Sequence, residues 1–234
     1  MVASFLRPLT LSASALLLLA ACGGGSPAPQ AAAPVAAGAE LKAPAGAYKI
    51  DPDHASIAVK LMHLGVAPYV MQFTRFDATV SLDPAAIGNS SVTATIEPTS
   101  VRTSYMGDFV AGHKDSPYKT FEEEIARGDK FLNADKFASI GFKSTKVEAN
   151  GPGRMRITGD LTFLGQSHPV TLDATVTGSY DKHPYVGGGA FGITATTTLN
   201  RSQWGMTGTQ QFLGDAVTVE FNGEFHQQVA APAS

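Results

Sequence analysis

An all-β antiparallel domain is what this sequence predicts, and three observations predict it. Apolar and polar residues alternate with period two in segment after segment. Turn residues (Gly, Pro, Asn, Asp) punctuate those segments at short spacing, and no sustained helical period competes with them. Charged residues make up only 16% of the chain, which suits sheets buried on one face.

The N-terminus stands apart from that pattern. Arg7 precedes an apolar run through Leu16, Leu17, Leu18 and Leu19, long enough for an export signal and too short to cross ~30 Å of hydrocarbon. It ends in Leu19-Ala20-Ala21-Cys22, which resembles the lipobox of bacterial lipoproteins. The expectation is a signal peptide over residues 1–21 and a lipid on Cys22. Cys22 is the single cysteine, so no internal disulfide can form and stability must come from the core. Acyl chains contributing ~0.8 kcal/mol per buried CH₂ would hold the chain to a membrane without a spanning helix. The expected location is exported and periplasm-facing. Gly23 stands where an Asp marks inner-membrane retention, which points to the outer membrane.

Residues 22–46 are almost wholly Gly, Ala, Pro and Ser after the cysteine. Such a composition buries too little apolar surface to order itself and reads as a flexible tether. The folded domain is expected over residues 47–228, a length that makes one core, with 229–234 an unstructured tail. A net charge of −3 and a pI near 6.0 provide no basic field, which excludes nucleic acid as a partner.

Within the domain, Ile57, Val59 and Leu61 alternate with Ser56, Ala58 and Lys60. Phe76, Ala78, Val80 and Leu82 alternate with Asp77, Thr79 and Ser81 up to the turn signal Asp83-Pro84; Val92, Ala94 and Ile96 repeat the pattern before Pro98. Met155, Ile157, Gly159, Leu161 and Phe163 share one face of a long strand. Val170, Leu172, Ala174 and Val176 answer it across Gly165-Gln166-Ser167. Ile193, Ala195, Thr197 and Leu199 follow a glycine run, and Val217, Val219 and Phe221 close the series. Between Ser104 and Asp135 the alternation stops. Residues 118–125, with Glu122-Glu123-Glu124, read as helical turns or a loop, the acidic run being a solvated face. Either a sandwich or a barrel would hide the sheet edges, and periodicity does not choose between them.

A resemblance chooses. Tyr48-Lys49-Ile50-Asp51-Pro52-Asp53-His54-Ala55-Ser56-Ile57, then His63-Leu64-Gly65-Val66, is similar to the opening of the YceI-like family of periplasmic proteins. Thr99-Ser100-Val101-Arg102-Thr103 and the run from Asp129 to Phe137 into Ile140-Gly141-Phe142 resemble its central motif. Gly159-Asp160-Leu161-Thr162-Phe163-Leu164-Gly165-Gln166 with Pro169-Val170-Thr171-Leu172 resembles its hairpin, and Asn200-Arg201-Ser202-Gln203-Trp204-Gly205 its Asn-Arg-x-x-aromatic-Gly element. Three places depart from the family pattern. No glycine precedes the Phe73-x-x-Phe76 segment, Ala138 stands where a proline is common, and the stretch from Gly107 to Arg127 is longer, near the expected barrel mouth.

The resemblance implies a lipocalin-like antiparallel barrel with a short helical or loop insertion, and non-catalytic binding of an isoprenoid lipid, a quinone or a prenyl phosphate, for carriage or buffering in the envelope. It implies no other cofactor. Because such a ligand starts in a bilayer, moving its chain into an apolar channel is nearly neutral, and selectivity rests on channel shape and head-group contacts. The expected channel residues are Ile57, Val59, Phe76, Val80, Ile157, Leu161, Leu172, Val176, Ile193 and Trp204. The expected head-group residues are His63, Arg102 and Arg201, since an arginine fork suits a phosphate and a histidine a quinone carbonyl.

Competing chemistry is thin. The six histidines form neither a helical i, i+4 pair nor a His-x-His pair, so no metal site is expected. Gly-x-Ser-x-Gly is absent and Gly187-Gly188-Gly189 lacks the Lys and Ser of a phosphate loop, so no enzyme is expected. The alternative is an envelope lipoprotein whose filled barrel docks another protein; the partner stays unspecified and a dimer is compatible with either reading. The lean inner positions Ala78, Ala94, Gly159, Ala174 and Ala195 favour an open channel.

Overall fold

The computed structural model describes residues 37–228. The expected signal peptide, Cys22, most of the expected tether and the 229–234 tail lie outside the described residues. Ten strands run in chain order: β1 (Gly46–His63), β2 (Ala67–Phe73), β3 (Phe76–Leu82), β4 (Ser91–Ile96), β5 (Val101–Thr103), β6 (Ile140–Ala149), β7 (Arg154–Phe163), β8 (Gln166–Tyr180), β9 (Ala190–Asn200) and β10 (Leu213–Gln227). Two short helices, α1 (Phe109–Gly112) and α2 (Phe121–Arg127), fall between β5 and β6, where the alternation stops.

The ten strands make eight arms. β2 and β3 are one arm bent at Thr74-Arg75, both antiparallel to β1, with Ile57 opposite Phe73 and Lys49 opposite Thr79. β4 and β5 form the next arm, bent at the 3₁₀ turn Pro98–Ser100, with Phe76 opposite Ile96 and Met71 opposite Thr103. The two bends are stitched together: Thr74 donates its N–H to Ser100 O, Glu97 donates to Arg75 O, and Arg75 Nε lies 2.6 Å from Glu97 Oε2. From β4 the sheet continues through β6, β7, β8, β9 and β10, and β10 pairs back onto β1, with Ile57 opposite Phe221. The result is a closed eight-stranded antiparallel barrel, which removes the free edges a sandwich would leave. β1 serves three neighbours because it is long and bulged: its register on β10 shifts between Ile50 and Ala55, at Asp51-Pro52-Asp53-His54.

The inward faces form two stacked cores. Tyr48, Ile50, Leu82, Val147, Met155, Val176, Phe191 and Phe225 pack the lower end. Ile57, Phe73, Val101, Ile125, Leu132, Ile140, Phe163 and Trp204 pack the upper end, where β1, β7 and β9 finish. The barrel and its N-terminal strap form one compact unit over the described residues.

That strap departs from the expected boundary at 46. Residues 38–45 lie across the lower end: Gly38 N–H donates to Pro152 O at 3.0 Å, Ala39 N–H to Val176 O at 2.8 Å, and Lys42 N–H to the Ser179 hydroxyl at 2.6 Å. Ala43 is 1% exposed and the Tyr48 hydroxyl donates to Pro44 O at 2.6 Å. Small residues that promise a coil when read alone fit closely over the barrel floor, and the burial exists only once the floor does.

Candidate functional site

Between the two cores the side chains fail to meet, leaving a cavity of about 240 Å³ whose surface is wholly apolar. Ala78, Ala94 and Ala195 line it, and small side chains at these inward positions leave the space open. Ala174 is buried in the lower core instead. Gly159 is not spare room either: a Cβ there would stand 2.5 Å from the Phe142 ring, so the missing side chain is replaced by Phe142, itself a wall residue.

The upper end is closed by the insertion and by the β9–β10 loop. From the insertion come Ile125 of α2 and Leu132, tied together by the Leu132 N–H to Ile125 O bond at 3.1 Å. Thr120 caps α2 by accepting the Glu123 N–H. Glu122 is more than a solvated face, since its carboxylate accepts the Thr103 N–H at 3.1 Å and clamps α2 to β5. Burial pushes the Glu122 pKa up, but hydrogen bonds from Thr103 and from its own backbone N–H, with the Arg102 charge, together outweigh it and hold the carboxyl below its ordinary value. Tyr105, Phe109, His113 and Phe121 form an aromatic cluster that docks the insertion on Tyr69 of β2.

Trp204, 1% exposed, closes the top as part of the 3₁₀ turn Arg201–Trp204. Its indole N–H donates to Leu161 O, and its ring lies against Phe163 and His168. Arg201, 2% exposed, lies on the wall. Its guanidinium donates to the carbonyl oxygens of Gly214, Met206 and Leu213 and to the Thr209 hydroxyl, at 2.9–3.0 Å. Burial pulls its pKa down and Asp215 opposes that shift. The side chain folds the 205–214 loop around itself and turns carbon to the cavity.

Of the expected channel residues, Ile57, Val59, Val80, Ile157, Leu161, Leu172 and Ile193 line the cavity. Three do not. Val176 is spent in the lower core, Phe76 packs edge-on against Phe221, and Trp204 is a plug above the space rather than a wall of it. Of the head-group residues, His63 is exposed on the rim, and Arg102 points outward into a shallow polar groove with Glu122, Glu123 and Arg127. Their strands end at the mouth, but their parity turns them outside. Phe142, Phe221, Phe225, Met71 and Met206 were not among the expected residues, and neither were Ile125 and Leu132. Parity alone would have found Phe221, whereas nothing in an irregular loop announces which face of Leu132 is buried. Among the described residues no group of three or more His, Cys, Asp or Glu side chains is arranged to hold a metal, and no helix is long and apolar enough to cross a membrane.

The YceI-like domain family matches residues 48–225, nearly the whole barrel. This chain belongs to the YceI-like family. Its YceI-like relatives include a UPF0312 protein of Vibrio cholerae serotype O1, 34% identical over 153 residues that make up 65% of this chain and 72% of the relative. Among solved structures, BcnA of Burkholderia cenocepacia superposes with a TM-score of 0.61 at 20% identity, covering 75% of this chain and 98% of that one. A polyisoprenoid binding domain from Saccharophagus degradans superposes at 0.51 and 10% identity, covering 77% and 98%. Likeness at such identities establishes the shared barrel fold.

Proposed function

We propose that this YceI-like barrel binds an isoprenoid lipid without catalysing a reaction on it, and carries or buffers that lipid in the cell envelope, anchored through a lipid on Cys22. One observation carries the reading: the barrel keeps a wholly apolar cavity where a filled core would have none. A filled docking module is disfavoured by the same space. The polyisoprenoid binding of the Saccharophagus degradans domain supports the ligand class.

At about 240 Å³ the cavity lies below the roughly 300–1,000 Å³ of ordinary ligand pockets. It suits a slender branched chain, and a long isoprenoid extends beyond it or widens it by side-chain movement. The polar head then stays at the mouth. Arg201, the charged residue of the wall, already donates to four oxygens, so the wall reserves no cation for a phosphate and favours the neutral head of a quinone.

The test is mass spectrometry of organic extracts from the purified protein beside an Ala195→Phe variant, which fills the cavity from β9. A stoichiometric isoprenoid in the parent that disappears from an equally folded variant supports the reading. An empty parent that stays empty after incubation with quinone and with prenyl phosphate overturns it.

A further inference from the structure

Two Leu-Gly turns stand at the upper end of the barrel, and they differ in one respect. Leu64-Gly65 joins β1 to β2 with φ of +51° and +68°, and Leu164-Gly165 joins β7 to β8 with φ of +48° and +73°. Both are the left-handed pair that a tight hairpin demands and that Asn-Gly fills most easily. A leucine there is strained, because its Cβ crowds the following carbonyl. Leu164 recovers that cost by packing against the upper core. Leu64 does not: it is 57% exposed, beside Val66 at 82% and Met62 at 39%. A strained backbone residue with an unburied apolar side chain points to a partner that the isolated chain lacks.

The neighbouring tip is of the same kind. Phe212, 53% exposed, heads the β9–β10 loop, and its carbonyl oxygen accepts the Leu64 N–H at 2.7 Å, so the two tips form one rim. The segment from Met62 to Val70 holds no Lys, Arg, Asp or Glu, so nothing in it selects a charged partner. Just inside the rim, Leu61 and Val217 line the cavity, so an apolar surface runs from the tips to the interior.

We propose that the rim formed by Leu64, Val66 and Phe212 inserts into the hydrocarbon boundary of a neutral phospholipid bilayer. Chain length permits this on the membrane that holds the anchor. The sixteen residues between Cys22 and Ala39 reach at most ~53–58 Å, more than the ~33 Å of a ten-residue strand, so the end opposite the strap can touch the same surface. A chain-bearing ligand would then pass from bilayer to cavity without crossing water.

The test uses residues 22–234 with Cys22→Ser, which cannot carry the lipid, in co-sedimentation with vesicles of phosphatidylcholine alone. The variant is Leu64→Asn with Val66→Asn. Asparagine suits the left-handed backbone, so thermal unfolding of the variant should match or exceed the parent. The parent should partition onto vesicles and the variant should lose roughly tenfold or more, the equivalent of one removed apolar side chain. A parent that stays in the supernatant, or a variant that binds as well, overturns the proposal. So does a parent that sediments as a dimer without vesicles while the variant is monomeric, which assigns the rim to a second copy. No isoprenoid is present, so the outcome is separate from that of the extraction experiment.

Discussion

The Trp204 indole donates its N–H to the carbonyl oxygen of Leu161, 3.2 Å away, and so the plug of the barrel hangs from a strand whose own side chain lines the cavity. The bond joins the loop between β9 and β10 to β7, which pairs with neither of those strands. The top of the cavity therefore depends on one buried ring held at both its edge and its face.

Replacing that ring should be costly. Trp204→Ala is expected to lower the unfolding free energy by about 3–5 kcal/mol, and Trp204→Phe by less, since it keeps most of the contact with Phe163 and loses the hydrogen bond. Urea denaturation followed by circular dichroism measures both. A Trp204→Ala protein as stable as the parent would show that the plug does not hold the barrel shut.

Arg201 acts as a scaffold. Arg201→Met leaves the Gly214, Met206 and Leu213 carbonyls and the Thr209 hydroxyl without their donor, at an expected cost on the order of 3 kcal/mol. Arg201→Lys should recover less than half, because one ammonium cannot reproduce a planar fork. Comparable stability of the lysine variant and the parent would refute the fork requirement.

Gly159 should tolerate no methyl group. Its Cβ would stand 2.5 Å from the Lys143 carbonyl oxygen as well as 2.5 Å from the Phe142 ring. Gly159→Ala is expected to destabilise by about 1–3 kcal/mol. Adding Phe142→Leu should restore only part of this, because the backbone oxygen remains; complete rescue would locate the whole conflict in the ring.

The pH profile should have two shoulders. Asp215 accepts hydrogen bonds from the Ser202 hydroxyl at 2.7 Å and the Ser202 N–H at 2.9 Å. The hydroxyl bond is the main cause of its lowered pKa, and Arg201 adds to it. A depressed folded-state value means its contribution is complete above the ordinary carboxylate pKa and is lost as pH falls below it. Tyr48 lies at the other end, where burial pushes its pKa up to about 12 from 10.0. Its contribution is complete below pH 10.0 and is lost as pH climbs towards 12. Urea midpoints across pH should show that Asp215→Asn flattens the acid limb and Tyr48→Phe the alkaline limb. A limb unchanged by its variant would assign that limb to other groups.

Period two was enough to place β1, β3, β4, β7, β8, β9 and β10 in the chain, because each hides one face and the other meets water. It was not enough for β5, a three-residue strand between Pro98 and the insertion, whose pairing with β2 exists only because β4 already lies beside β3. The motif residues located the mouth of the barrel through Arg201 and Trp204 but not their roles. A sequence shows that an arginine is present, and only the folded loop shows that its donors are already taken.

By itself the sequence determined the all-β class, the breakpoint at Ser104 and part of the cavity wall, since alternation is a local property of each strand. The tertiary structure decided what depends on two segments meeting. Closure of β10 on β1 made the barrel that the family resemblance implied and that alternation alone does not tell from a sandwich. Phe142 took the space above Gly159, and residues 38–45 found a floor to lie on. In each case a residue's burial is set by the shape of a distant partner, and that shape exists only after the chain has folded.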